Sequence, residues 1–137
     1  MELVEQARAA LEHAHAPYSS YTVGAAIETA DGTVYTGCNL ENANYSNSLH
    51  AEEVAIGSAL SEGHREFARI AVSSGARDGV TPCGMCRQTL AEFCDETFEI
   101  ICDTGENSAP KRYTLGELLP DTISESTLDR HAEDHHA

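Results

Sequence analysis

Whatever this chain folds into must bring two distant pieces of it together. One is His50-Ala51-Glu52; the other, beginning 32 positions after the histidine, is Pro82-Cys83-Gly84-Met85-Cys86. An imidazole and two thiolates are three good zinc ligands, and a catalytic site, unlike a four-ligand structural one, keeps a position open for water. Glu52 has the length and chemistry of a general acid/base beside that water, whose pKa zinc lowers towards about 7. Cys83 and Cys86, at i and i+3, project from one side of a helical first turn. The free amides and positive dipole end there favour the thiolates a metal needs. Pro82 suits the position just before such a helix. His50 also opens a helix, so two helix N-termini are expected to converge on one metal. His50 and Glu52, at i and i+2, do not share a helix face. Both reach the metal if it lies off the helix end.

Hydrophobic periodicity supplies the frame around these segments. Leu3, Ala7, Ala10, Leu11 and Ala14 fall at helical spacing, predicting a helix over 2–15 that Pro17 ends. Tyr21, Val23, Ala25 and Ile27 alternate as in a half-buried strand, and Asp31-Gly32 marks a hairpin turn into a second strand reaching about Asn39. Residues 50–62 read as a helix stopped by Gly63, Ile70-Ala71-Val72 as a strand, and 83–93 as a helix with Cys86, Leu90 and Phe93 on one face. Phe98 to Cys102 reads as a strand, and Tyr113 to Leu119 as a strand or short closing helix. This order predicts an α/β fold, a three-layer α/β/α sandwich. Residues 1–123 are read as one catalytic domain and 124–137 as a polar, mobile tail.

Composition narrows the function. At 137 residues the chain is long enough for one core without disulfide staples. Five cysteines, an odd count with two in a C-x-x-C pair, indicate a reducing interior. The first residues lack the pattern of a signal peptide and no apolar run approaches a membrane span, so the expected location is cytoplasmic, with no membrane partner. The 23 acidic residues outnumber the 8 basic ones, of which only Lys111 is lysine. A net charge of −15 repels phosphate backbones and argues against a nucleic-acid partner. Such acid-rich, lysine-poor surfaces also resemble those of proteins from high-salt cytoplasms, where salt screens the self-repulsion.

H-x-E followed by P-C-x-x-C is the pattern of zinc-dependent base deaminases, in which the Glu is not a ligand. With Ala16-Pro17-Tyr18-Ser19, Val23-Gly24-Ala25-Ala26, Asn39-Leu40-Glu41-Asn42-Ala43 and Pro82-Cys83-Gly84-Met85-Cys86-Arg87-Gln88, the chain resembles the cytidine deaminases from about Ala14 to Pro120. The resemblance implies a mixed five-stranded sheet, a homotetramer, and cytidine and deoxycytidine as small-molecule substrates converted to uridine and deoxyuridine with release of ammonia, as in pyrimidine salvage. It implies one Zn²⁺ per subunit on His50, Cys83 and Cys86, with Glu52 moving protons. It further implies Asn39 and Glu41 on the ribose 3′-hydroxyl, Tyr21 packed against the nucleoside and the Ala51 backbone at the base. Arg87, beside two thiolates, is expected to stabilise their charge.

Three positions depart from the short-chain members of that family. They have cysteine where this chain has His50 and arginine where it has Glu53. Two thiolates and an imidazole leave Zn²⁺ neutral where three thiolates leave it at −1, so the two changes read as coupled. Ile123 lies near where the family often places a phenylalanine that reaches a neighbouring subunit's site. Cys38, Cys94 and Cys102, with apolar neighbours, read as core filler. His131-Ala132-Glu133 repeats the triplet without following cysteines and reads as a decoy, while His13 and His15 belong to the first helix. Two other functions are weighed: a non-catalytic zinc module closed by Cys38 or Cys94, and a deaminase of a cytosine nucleoside antibiotic or polynucleotide.

Overall fold

The computed structural model describes residues 1–76 and 78–123. Among them, β1 (Val23–Thr29), β2 (Val34–Cys38), β3 (Phe67–Ser74), β4 (Glu99–Cys102) and β5 (Lys111–Thr114) form one sheet in the order β2-β1-β3-β4-β5. β1 runs antiparallel to both β2 and β3, β3 parallel to β4, and β5 antiparallel to β4. Hence β2, β3 and β4 share a direction and end at one edge of the sheet. Helix α2 (Ala51–Ser61) follows β2 and helix α3 (Gly84–Phe93) follows β3, so the chain enters both helices from that edge. This common direction is what brings His50 and the two cysteines together.

Helix α1 (Leu3–Leu11) covers one face of the sheet, where Ala7 packs with Ala26, Ala71 and Ile101. The other face carries α2, α3 and the single turn α4 (Leu115–Leu118), packed through Ala55, Ile56, Leu90 and Leu115 onto Ala25, Ile27, Ile70 and Ile100. The three-layer α/β/α arrangement is the predicted one. Each fully buried isoleucine contributes roughly 1.5–3 kcal/mol by leaving water. Small residues let the helices lie close on the sheet. A Cβ on Gly24 would stand 2.2 Å from the Ala7 carbonyl oxygen, and one on Gly37 would stand 2.5 Å from the Ala51 oxygen.

Several expectations need correcting. β1 is buried on both faces from Gly24 to Ile27, not half-buried, because α1 covers what the alternation left to water. α1 ends at Leu11, with Glu12 as its cap, short of residue 15. Beyond it His15 leaves the helix to bridge Leu40, taking the Asn39 carbonyl at 2.9 Å and accepting from the Glu41 amide at 2.8 Å. β2 stops at Cys38, one residue before Asn39. The segment after residue 110 supplies both alternatives, β5 and then α4. The Asp31-Gly32 turn is present, with Gly32 at φ +92°. Cys102 is in the core and Cys94 packs against it, while Cys38 is half-buried at the strand end. The tail from Ser124, with its H-A-E repeat, lies outside the described residues.

Candidate active site

His50 is the N-cap of α2, in extended backbone at φ −86° and ψ 150°. Its amide donates to Glu53 Oε1 at 3.0 Å and its carbonyl accepts from the Val54 amide at 3.1 Å. Cys83 is the N-cap of α3 and Cys86 is its third residue. His50 Nδ1 stands 3.1 Å from Cys83 Sγ and 3.2 Å from Cys86 Sγ. These three donor atoms all lie within 4.8 Å of one another, the one such group of three among the described residues. A tetrahedral Zn²⁺ with ordinary Zn–N and Zn–S bonds spans N···S edges of about 3.6 Å, so modest outward adjustment of the side chains accommodates the ion. Neither Cys38 nor Cys94 belongs to the group, which leaves a fourth direction without a protein ligand.

The electrostatics ask for a cation. Burial pushes the Cys86 thiol far above its ordinary pKa, and neighbouring Glu52 and Cys83 push it further. Burial likewise raises Glu52, which is only 6% exposed, against the opposing pull of the His50 imidazole and the Cys86 thiol. Two sulfurs and an imidazole form a donor set suited to a divalent ion, and its positive charge would offset the thiolates and the buried carboxylate beside them.

Above the donors opens a cavity of about 640 Å³. His50, Ala51, Glu52 and Cys83 line it together with Tyr21, Asn39 and Glu41, so seven of the residues singled out in the sequence meet around one space. Cys86 is fully buried and is not part of the lining. The side chains of Asn39 and Glu41 serve the fold as well as the cavity. Asn39 Oδ1 accepts from the Val23 amide at 2.9 Å and Nδ2 donates to the Tyr21 carbonyl at 2.7 Å. Glu41 Oε1 accepts from the amides of Tyr18 and Ser19 at 2.9 and 3.1 Å, and Oε2 from the Ser19 hydroxyl. The Ser19 hydroxyl is the main cause of a Glu41 pKa below the ordinary range.

Arg87 reaches neither sulfur by hydrogen bond. Its Nε donates to the Pro82 carbonyl at 2.7 Å, one terminal nitrogen to Leu118 at 2.8 Å and the other to Thr81 Oγ1 at 3.0 Å. A guanidinium spreads five donors in a fixed fork, and here the fork ties the turn that carries Cys83 to the end of α4. Sequence reasoning gave no role to several cavity walls. Tyr18 and Ser19 stood inside a quoted motif. Val72, Val80 and Thr81 carry no local signal, because only the shared strand edge places them there. Tyr45, 73% exposed, contacts Tyr18 edge-on with ring centres 5.8 Å apart.

Residues 1–102 match the family model described as the cytidine and deoxycytidylate deaminase zinc-binding region. The chain is 39% identical over 132 residues to a cytidine deaminase of Sporosarcina psychrophila, covering 96% of each. It is 40% identical over 131 residues to a probable cytidine deaminase of Dictyostelium discoideum, covering 95% of this chain and 87% of that one. The crystal structure of cytidine deaminase from Burkholderia pseudomallei superposes with a TM-score of 0.82 at 45% identity, over 88% of this chain and 96% of that one. The cytidine deaminase structure from Mycobacterium tuberculosis gives 0.76 at 36%, over 88% and 94%. Fold, motifs and relatives agree, and this chain belongs to the cytidine and deoxycytidylate deaminase family.

Proposed function

We propose that this protein hydrolyses the exocyclic C–N bond of cytidine and deoxycytidine, giving uridine or deoxyuridine and ammonia. The observation that carries this reading is the His50–Cys83–Cys86 donor group next to buried Glu52 in a nucleoside-sized cavity. The relatives named as cytidine deaminases support the substrate class.

His50, Cys83 and Cys86 hold one Zn²⁺ per subunit, which supplies Lewis-acid polarisation and offsets the charge of two thiolates. Glu52 takes the proton of the attacking water on its carboxylate and delivers it to the ring nitrogen beside the reacting carbon. A second transfer goes to the departing amine, so that water and nucleoside balance as deaminated nucleoside and ammonia. Burial raises the Glu52 carboxyl above its ordinary range, the direction that makes it a better proton acceptor for this work. Asn39 Nδ2 has one hydrogen beyond the bond to Tyr21, and Glu41 keeps unused lone pairs, so each has a polar valence left for the ribose 3′-hydroxyl. Tyr21 flanks the nucleoside and the Ala51 backbone meets the base. The lining includes Glu41 and Glu52 and no lysine or arginine, which favours an uncharged nucleoside over a nucleotide. The working form is a cytoplasmic homotetramer, as the family resemblance implies.

The deciding experiment incubates the zinc-loaded protein with cytidine, deoxycytidine, CMP and cytosine and follows ammonia. Deamination of both nucleosides is expected, with little release from CMP or cytosine. Glu52→Gln should keep stoichiometric zinc and lose on the order of 10²–10⁴-fold or more in turnover. Near-normal turnover in that variant would remove Glu52 from the mechanism.

A further inference from the structure

We infer that Glu53 is a positioning residue for the metal site, acting on His50 through the backbone and not through its charge. The inference rests on the zinc reading above and concerns a residue outside the donor group. Glu53 is the third residue of α2, and its Oε1 takes the amide hydrogen of the helix's own N-cap, His50, at 3.0 Å. The Val54 amide holds the His50 carbonyl at 3.1 Å, so both peptide groups of the ligand residue are fixed by the helix it opens. On the upstream side, Leu49 exchanges amide and carbonyl bonds with Leu40 at 2.9 and 3.0 Å, which ties the approach to His50 down as well.

The atom offered to the metal makes this placement matter. His50 presents Nδ1 to both sulfurs. Nδ1 is separated from Cβ only by Cγ, so its position follows the backbone closely; the distal Nε2 would have a longer reach over which a small backbone error could be absorbed. If the His50 amide loses its partner, the N-cap can rotate, and Nδ1 swings relative to sulfurs held on a different helix. Glu53 is therefore a capping carboxylate whose mechanical product is the bearing of an imidazole. A charge role would need only a negative group nearby. The capping role needs an oxygen acceptor at this spot, ionised or not.

Glu53→Gln separates the two, because it keeps the acceptor and removes the charge, whereas Glu53→Ala and Glu53→Arg remove the acceptor. Zinc affinity is measured by competition with a chelator of known strength, and the Co²⁺-substituted proteins are compared by their thiolate charge-transfer and ligand-field bands. Glu53→Gln should match the parent in both, while Glu53→Ala and Glu53→Arg should bind zinc roughly 10-fold more weakly, as is typical when a group orienting a ligand is lost, with shifted Co²⁺ bands. Weakened binding in Glu53→Gln equal to that in Glu53→Ala would overturn the capping role in favour of charge, and unchanged binding in Glu53→Ala would overturn it outright. The Gln-to-parent comparison stands alone if the Ala or Arg variant fails to fold. Failure of the parent to bind zinc would sink the metal reading first and this inference with it, whereas parent binding with an indifferent Glu53→Ala would sink this inference only.

Discussion

Gly37→Ala tests how closely helix α2, which carries Glu52, is gauged against the sheet. Gly37 lies in β2 under the first turn of α2, and an added Cβ would stand 2.5 Å from both the Ala51 oxygen and the Ala55 nitrogen, and 2.9 Å from Val54 Cβ. The two nearest are backbone atoms, which cannot rotate away. Ordinary contact begins at 3.4 Å, so the turn must rise by about 0.9 Å. Overpacking of this kind costs about 1–3 kcal/mol, which for a domain of this size lowers Tm by roughly 4–12 °C. The functional effect should exceed the stability effect. Ala51 and Ala55 bracket Glu52, and a misplacement of about 1 Å can cost ~10²-fold in rate. Gly57→Ala on the same helix is the control, because nothing lies within 4 Å of its added Cβ; better helix propensity should raise stability by about 0.5–1 kcal/mol without changing turnover. Thermal melts and steady-state ammonia release on both variants are the assay. A Gly37→Ala protein with the parent's Tm and turnover would refute the gauge argument.

Three other outcomes are expected. Asn39→Ala strips the acceptor from the Val23 amide and the donor from the Tyr21 carbonyl; at roughly 1–3 kcal/mol for each buried group left unpaired, it should lower Tm as well as nucleoside turnover, and a loss of turnover with an unchanged melt would assign Asn39 to the sugar alone. Burial alone would raise the pKa of Asp103, but bonds from Arg8, the Gly105 amide and Ser73 outweigh it and hold the carboxyl below its ordinary range. A lowered folded pKa contributes stability that is present above the unfolded value near ~4 and is lost as pH falls through the folded one, so Asp103→Asn should show a flatter decline of Tm below pH 4, and a decline as steep as the parent's would contradict the sign. If the acidic surface is an adaptation to salt, Tm should go on rising in KCl beyond 1 M, where the Debye length is already about 3 Å, and a protein fully stable in dilute buffer would discredit that reading.

The donor group was legible because its information is local. His50, Cys83 and Cys86 each occupy a helix start that the flanking residues announce, and the chemistry of the three side chains does the rest. The face covered by α1 was not legible. Alternation in β1 counts Val23, Ala25 and Ile27, but Ala26 between them is buried too, and alanine alone does not announce which face it serves. The partners of Asn39 and Arg87 were out of reach for a related reason. Asn39 holds backbone groups 16 and 18 positions earlier, and one branch of Arg87 reaches a carbonyl 31 positions later. A backbone carbonyl looks the same at every residue, so no side-chain pattern flags it as a partner. The sequence paired His50 with Glu53 through charge at the metal; the bond the fold makes between them runs instead from the histidine amide to the glutamate side chain.

The sheet order carries a consequence for how the molecule assembles. β2 and β3 feed the two helices that meet at the donor group, yet they are not neighbours: β1 lies between them. A refolding chain that has formed only the local β1–β2 hairpin has His50 near its final place and no sulfur in reach. The second half arrives when β3 docks on the far side of β1, a contact between strands about 40 positions apart in sequence, for example Ile27 with Ile70. Closing that long loop is the slow kind of event in folding. The thiolates and imidazole thus become a single chelating pocket after the central strand is enclosed on both sides, and metal capture reports completion of the sheet instead of nucleating it.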